Sequence, residues 1–184
     1  ATLWAKPGEA NISRTAVTFP HSIFLAQEHI RTVCTRVQFA ADNCPKASIY
    51  GKAEATTPLL DGKVQGPVYL RSSDNTLPDL VAALRGPDDQ PVEVELSGRT
   101  DSKNQGIRNT FDFVPDVPVS KFTLRMFGGK KSLLITSQNL CRKGKPHRAT
   151  VRMNAHNGKR HNSRPALKVN CGKKKAKAKK KGRK

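Results

Sequence analysis

The stretch PVEVELSGR constrains the fold most, because Val92, Val94 and Leu96 alternate with Glu93 and Glu95. Successive side chains of a strand point to opposite faces, so this order gives one apolar and one wet face and suits a sheet solvated on one side. GIRNTFDFVP follows the same period, setting Ile107, Asn109, Phe111 and Phe113 against Arg108, Thr110 and Asp112. If SGRTDSKNQG joins the two strands as a hairpin, Arg108 falls near Glu93 or Glu95, a screened surface pair with no functional weight. Further strands are expected at Thr15–Phe19, ended by Pro20, and in SIYGKAEATTPLL and GPVYLR on either side of an LLDGK turn. LPDLVAALRG reads as a strand or a short helical turn.

Two hairpins are expected in the last third. In VSKFTLRMFGGKKSLLITS, Phe122, Leu124 and Met126 alternate with Lys121, Thr123 and Arg125, and Gly128-Gly129 offers a two-residue reversal. In ATVRMNAHNGKRHNSRPALKV, Ala149, Val151, Met153 and Ala155 alternate with Thr150, Arg152 and Asn154 before Asn157-Gly158. Together they predict a cationic sheet over residues 121–171. The best helix is a minor one near residues 27–40, where Ile30, Val33 and Val37 recur at helical spacing, although the segment's β-branched content also allows a strand. With 184 residues, thirteen Gly and twelve Pro, the chain suits one domain of many short strands. Regular crossover helices are missing, so the expected fold is mainly β, an antiparallel β-sandwich with one minor helix, with a closed barrel as the alternative.

The four cysteines, Cys34, Cys44, Cys141 and Cys171, permit three complete pairings. Cys34–Cys44 and Cys141–Cys171 are favoured because each closes a local loop. Loops of 11 and 31 residues would stabilise by about 3 and 4 kcal/mol on the chain-entropy account. Close CxxC-like pairs, the usual mark of structural zinc, do not occur. Disulfides would place the protein outside the reducing cytosol.

Charge is segregated. Residues 1–120 carry fourteen acidic and twelve Lys or Arg side chains, a net of −2, whereas residues 121–184 carry twenty-two Lys or Arg and no acid. Such an end attracts polyanions through its field and through counterion release. The expected contacts are Lys121, Arg125, Lys130, Lys131, Arg148, Arg152, Lys159, Arg160 and Lys168 on the body. In the last residues they are Lys173, Lys174, Lys175, Lys177, Lys179, Lys180, Lys181, Arg183 and Lys184. The body is assigned to residues 1–171. Residues 172–184 hold nothing apolar larger than alanine and are expected to form a flexible cationic tail. Lysines of this kind make unselective contacts with phosphate or carboxylate.

Catalytic patterns are missing: the chain has no nucleophile elbow, zinc helix or glycine-rich phosphate loop. His147, His156 and His161 lie in or beside the second hairpin, but no acidic co-ligand accompanies them and neighbouring cations oppose a metal. Neither metal nor cofactor is expected. No stretch reaches the roughly 20 apolar residues that a membrane-spanning helix needs.

Three stretches also carry a resemblance: HIRTVCTRVQFAADNCPKASIYGKAEATTPLL, GPVYLRSSDNTLPDLVAALRG and GIRNTFDFVPDVPVSKFTLRMFGGKKSLLITSQNLC. Across about residues 20–171 the chain resembles a group of secreted actinobacterial proteins without an assigned biochemical activity. The resemblance implies export and a β-rich, disulfide-bearing body with Cys34, Cys44, Cys141 and Cys171 as landmarks, and it supplies no active residue. The expected function is a nonenzymatic exported protein, monomeric, held electrostatically to an anionic cell-envelope polymer or another extracellular polyanion. The alternatives are a basic protein that binds and compacts nucleic acid without sequence preference, and an enzyme with an unfamiliar active site.

Overall fold

The computed structural model describes residues 1–103, 106–142 and 146–171. Its strands are β1 (Thr2–Trp4), β2 (Ile12–Thr18), β3 (Ile23–Leu25), β4 (Ile49–Thr56), β5 (Lys63–Arg71) and β6 (Asp79–Arg85). They continue with β7 (Glu93–Lys103), β8 (Gly106–Phe111), β9 (Lys121–Met126), β10 (Leu134–Thr136), β11 (Thr150–Ala155) and β12 (Arg160–Ser163). A five-residue helix, α1 (Arg36–Ala40), lies between β3 and β4.

The mainly β reading holds, but the strands are not divided between two large packed sheets. Ten of them form one continuous antiparallel sheet in the order β1-β9-β4-β5-β6-β7-β8-β2-β11-β12, an open half-barrel, and β3 and β10 form a separate ribbon. The reason lies in β4 to β8, where four successive hairpin-type pairings extend one sheet step by step and no strand crosses to a second layer.

One face of this sheet carries the core. Ala53 and Ala55 of β4, Val64, Val68 and Leu70 of β5, and Leu80, Ala82 and Leu84 of β6 are buried at alternate positions, as a strand's period of two requires. Leu25, Ile30, Val33 and Leu133 pack against them from the ribbon and its flanks. Phe122, Leu124 and Met126 of β9 join the same side, as their alternation predicts.

The expected helix over residues 27–40 contracts to α1 and a 3-10 turn at Gln27–His29. Cys34 prevents a continuous helix. It is fully buried, its N–H donates to the Leu70 carbonyl at 2.8 Å, and its carbonyl accepts from Ser72 N–H at 2.8 Å, which lays the chain alongside the end of β5. The helix begins at Thr35, whose hydroxyl and backbone exchange hydrogen bonds with Gln38 in a capping box. It ends with Asp42 N–H on the Phe39 carbonyl and Asn43 N–H on the Gln38 carbonyl, a Schellman closure with Asp42 left-handed at φ 51°. That reversal returns the chain to Cys44, whose disulfide with Cys34 spans 5.3 Å between Cα atoms. The loop so closed covers part of the sheet's other face. Phe39 meets Tyr69 edge-on at 5.9 Å, and Val81, cross-strand partner of Tyr69, is fully buried.

The two expected hairpins fare differently. β11 and β12 pair through Asn154–Arg160, with Gly158 at φ 80° in the turn, as expected. The Gly128-Gly129 reversal does not form. A 3-10 turn at Gly129–Lys131 leads away, β9 pairs with β4 and β1, and β10 pairs with β3. The cationic sheet expected over residues 121–171 is therefore split, with β9 and the β11–β12 hairpin near opposite ends of the strand order.

Register also moves Arg108. It faces Asp101, not Glu93 or Glu95, and its Nε donates to Asp101 Oδ1 at 2.7 Å while Nη2 reaches Oδ2. The hydrogen bonds from Arg108 hold the Asp101 carboxyl below its usual range, against the opposing effect of burial. Because the folded value is the lower one, the stabilisation is complete above the ordinary carboxylate range and fades as pH falls through the folded value. Asp101→Asn is expected to cost on the order of 1 kcal/mol at neutral pH for this largely screened pair. The gap between variant and parent should narrow from pH 5 downward in urea unfolding, and a constant gap would count against the ion pair.

Candidate polyanion-binding surface

Ion pairing determines which cations remain available. Among the described residues, every salt bridge lies within residues 14–112: Arg14–Asp112, Arg36–Asp74, Lys63–Glu54, Arg71–Glu95, Arg85 with both Asp42 and Glu93, and Arg108–Asp101. Half of the fourteen acids are thus engaged by bases of the body. No described cation after residue 120 takes part in one.

The first cationic surface is the wet face of β1, β9, β4 and β5. Register builds it in rows. Trp4, Lys121, Thr56 and Lys63 lie across one row, Thr2, Thr123, Glu54 and Gln65 across the next, and Arg125, Lys52 and Pro67 across the third. These positions alternate with the core-facing Phe122, Leu124, Ala53 and Ala55, so they share the opposite face. Glu54 is the one carboxylate in the rows and is 3.4 Å from Lys63. Lys121 Nζ stands 4.4 Å from the centre of the Trp4 ring, yet Trp4 remains 70 % exposed. Lys52 and Arg125 are exposed cross-strand partners.

The second surface is the β11–β12 hairpin and its continuation. Arg152, Lys159, Arg160 and Lys168 are all exposed, and β12 forms the free edge of the sheet. Cys171 is tied to Cys141 across 5.5 Å between Cα atoms, which anchors the last described residue. Lys173, Lys174, Lys175, Lys177, Lys179, Lys180, Lys181, Arg183 and Lys184 lie outside the described residues.

Not every sequence-chosen cation is free to meet a ligand. Lys131 donates to the Ile49 carbonyl at 2.9 Å and lies over Tyr50, so it ties the 3-10 turn to the start of β4. Arg148 donates to the Arg164 carbonyl at 2.7 Å, whereas Lys130, which precedes Lys131, is exposed. Trp4, Lys52 and Lys63 were missed by sequence reasoning. An apolar-polar pattern marks their strands, but only the non-local pairing of β9 with β1 and β4 brings them beside Lys121 and Arg125.

The histidines are dispersed among separate partners. His147 Nδ1 is 3.3 Å from Ser22 Oγ, His156 Nε2 is 2.9 Å from the Val114 carbonyl, and His161 is exposed on β12. An open cleft of about 380 Å3 is lined by Ser13, Glu95, Asp112, Phe113, Val114, Pro115 and His156. Both of its carboxylates are committed, Glu95 to Arg71 and Asp112 to Arg14, each at 2.5 Å. The amide of Asn11, in the Asn11-Ile12-Ser13 sequon, donates to Asp116 at 2.9 Å. No protein family, curated protein or solved structure matches the chain.

Proposed function

We propose that the protein is an exported, nonenzymatic component that attaches electrostatically to an anionic cell-envelope polymer or another extracellular polyanion. One observation carries this reading: among the described residues, the ion pairs consume bases of the near-neutral body, and no described cation after residue 120 is salt-bridged to a carboxylate. Cations in that condition keep their field for an external partner. Two disulfides with no free cysteine support a place outside the reducing cytosol. Among the described residues, no helix is long and apolar enough to cross a membrane.

In this reading the body is a stapled platform and the basic residues after Cys171 add to its positive charge. The test compares retention on isolated envelopes of the full chain and a chain ending at residue 171, at several salt concentrations. The full chain should be held more strongly and both should elute as salt rises. Equal, salt-independent retention would eliminate the mechanism. Tight binding to nucleic acid with none to envelopes would favour the compaction alternative.

A further inference from the structure

We infer that the wet face of β1, β9 and β4 is a saccharide-recognition site, selecting anionic polysaccharides from other polyanions by stacking a sugar ring on Trp4 beside Lys121, Lys52 and Arg125. The inference rests on the polyanion reading above and names the polymer chemistry of one of its surfaces.

Point charges alone do not distinguish one polyanion from another, because a phosphate chain and a uronate chain satisfy an ammonium group equally. A flat apolar face beside those charges does distinguish them. Trp4 is a large aromatic side chain on an edge strand, 70 % exposed, in a position where a solvated sheet face ordinarily carries polar residues. Lys121, its direct cross-strand partner, holds its ammonium 4.4 Å from the ring centre. The ammonium covers one face of the indole, so a pyranose would stack on the other, and the flexible stem of Lys121 could follow a ring carboxylate or phosphate around the indole's edge.

Geometry extends the site along the sheet. Lys121 and Arg125 are four residues apart on β9, about 14 Å at the rise of an antiparallel strand. Lys52 lies across from Arg125 on β4. The one carboxylate in these rows, Glu54, is already paired with Lys63. The surface thus offers an aromatic contact at one end and two cations at the other, a span of a few sugar units. A nucleobase polymer fits less well. Tracking successive bases calls for successive stacking platforms, and these three rows contain a single aromatic.

The test uses the full chain at raised salt, where exposed charge contributes less. Binding is measured against polygalacturonate, linear polyphosphate and single-stranded oligothymidylate by calorimetry for every variant, with indole fluorescence added for the chains that keep Trp4, the one tryptophan of the sequence. Trp4→Ala should weaken polygalacturonate binding about fivefold, in line with the worth of an aromatic contact, while Trp4→Phe keeps most of it. Polyphosphate affinity should be unchanged by Trp4→Ala. Lys52→Gln with Arg125→Gln should weaken both polymers. Trp4→Ala should leave thermal unfolding nearly unchanged, since the side chain is mostly exposed.

The site assignment is overturned if Trp4→Ala leaves polygalacturonate binding intact or weakens polyphosphate equally. It is also overturned if oligothymidylate suffers the greatest loss. In those cases salt-sensitive binding by the parent chain would still uphold the polyanion reading. Failure of the parent chain to bind any of the polymers would remove both.

Discussion

Replacing Cys34 and Cys44 together by alanine is expected to destabilise the fold by about 3 kcal/mol, the loop-closure value for this spacing. In a chain of this length that lowers the thermal midpoint by about 6 to 12 °C. The effect should be global, because the disulfide secures a segment that the sheet itself depends on. Cys34 is fully buried and bonded on both sides to the end of β5, and the loop beyond it lays Phe39 on Tyr69 and brings Asp42 to Arg85 at 2.6 Å. Losing the link releases the cover of Val81 at the sheet's centre.

The second disulfide should behave otherwise. Cys141 and Cys171 are both exposed, and the described chain after β12 is held by few backbone bonds, chiefly Ala149 to Pro165 and Leu167 to His147. Although its loop is longer, Cys141→Ala with Cys171→Ala should mainly permit local fraying and shift the midpoint less than the first pair. Scanning calorimetry of the two double variants checks the order. A larger shift for the exposed pair would contradict the packing argument.

Gly66→Ala is expected to be as damaging as loss of the buried disulfide, costing more than about 3 kcal/mol. A Cβ at this position would lie 1.8 Å from the Ala83 carbonyl oxygen and 2.9 Å from its carbon. Neither atom belongs to a flexible side chain that could turn aside. Both are backbone of β6, whose Leu80, Val81, Ala82 and Leu84 are buried. Admitting a methyl group would force β5 from β6 between the Gln65–Arg85 and Val68–Ala82 pairs. Gly128→Ala is the control: its Cβ would meet nothing within 4 Å, and urea unfolding should barely change. Equal midpoints for the two variants would show that the close approach does not constrain the sheet.

The elements legible in the sequence are those whose causes are local. Val94 and Leu96 declare one face of β7 by alternation, Asn157-Gly158 closes a hairpin whose strands adjoin it, and each disulfide joins sequential cysteines. The misread elements depend on distant partners. Ile30, Val33 and Val37 share a helical spacing, but the Cys34 bridge to Arg71 holds the chain extended and Val37 ends 80 % exposed. Gly128-Gly129 has the composition of a tight reversal, yet residues 49–56 compete successfully for β9.

The surface shows the same division. Charge segregation pointed to Lys121 and Arg125, whereas Lys52 and Lys63 were concealed in a body whose charges nearly cancel. Cancellation along a sequence is not cancellation in space. Glu93 and Glu95 meet Arg85 and Arg71, leaving the β9–β4 end of the sheet with excess cations. Trp4 gave no local signal of its place beside Lys121, because their pairing joins residues more than a hundred positions apart.

The central claim is that cations uncompensated within the fold bind an external polyanion. It is tested most directly by measuring affinity of the full chain and of residues 1–171 for polyphosphate across a salt series. The logarithm of affinity should fall linearly with the logarithm of salt for both. Removing the nine Lys and Arg after Cys171 should make the slope shallower by up to about 6, at roughly 0.7 for each contact made. A full-chain slope near zero, or the same slope for both chains, would contradict the account.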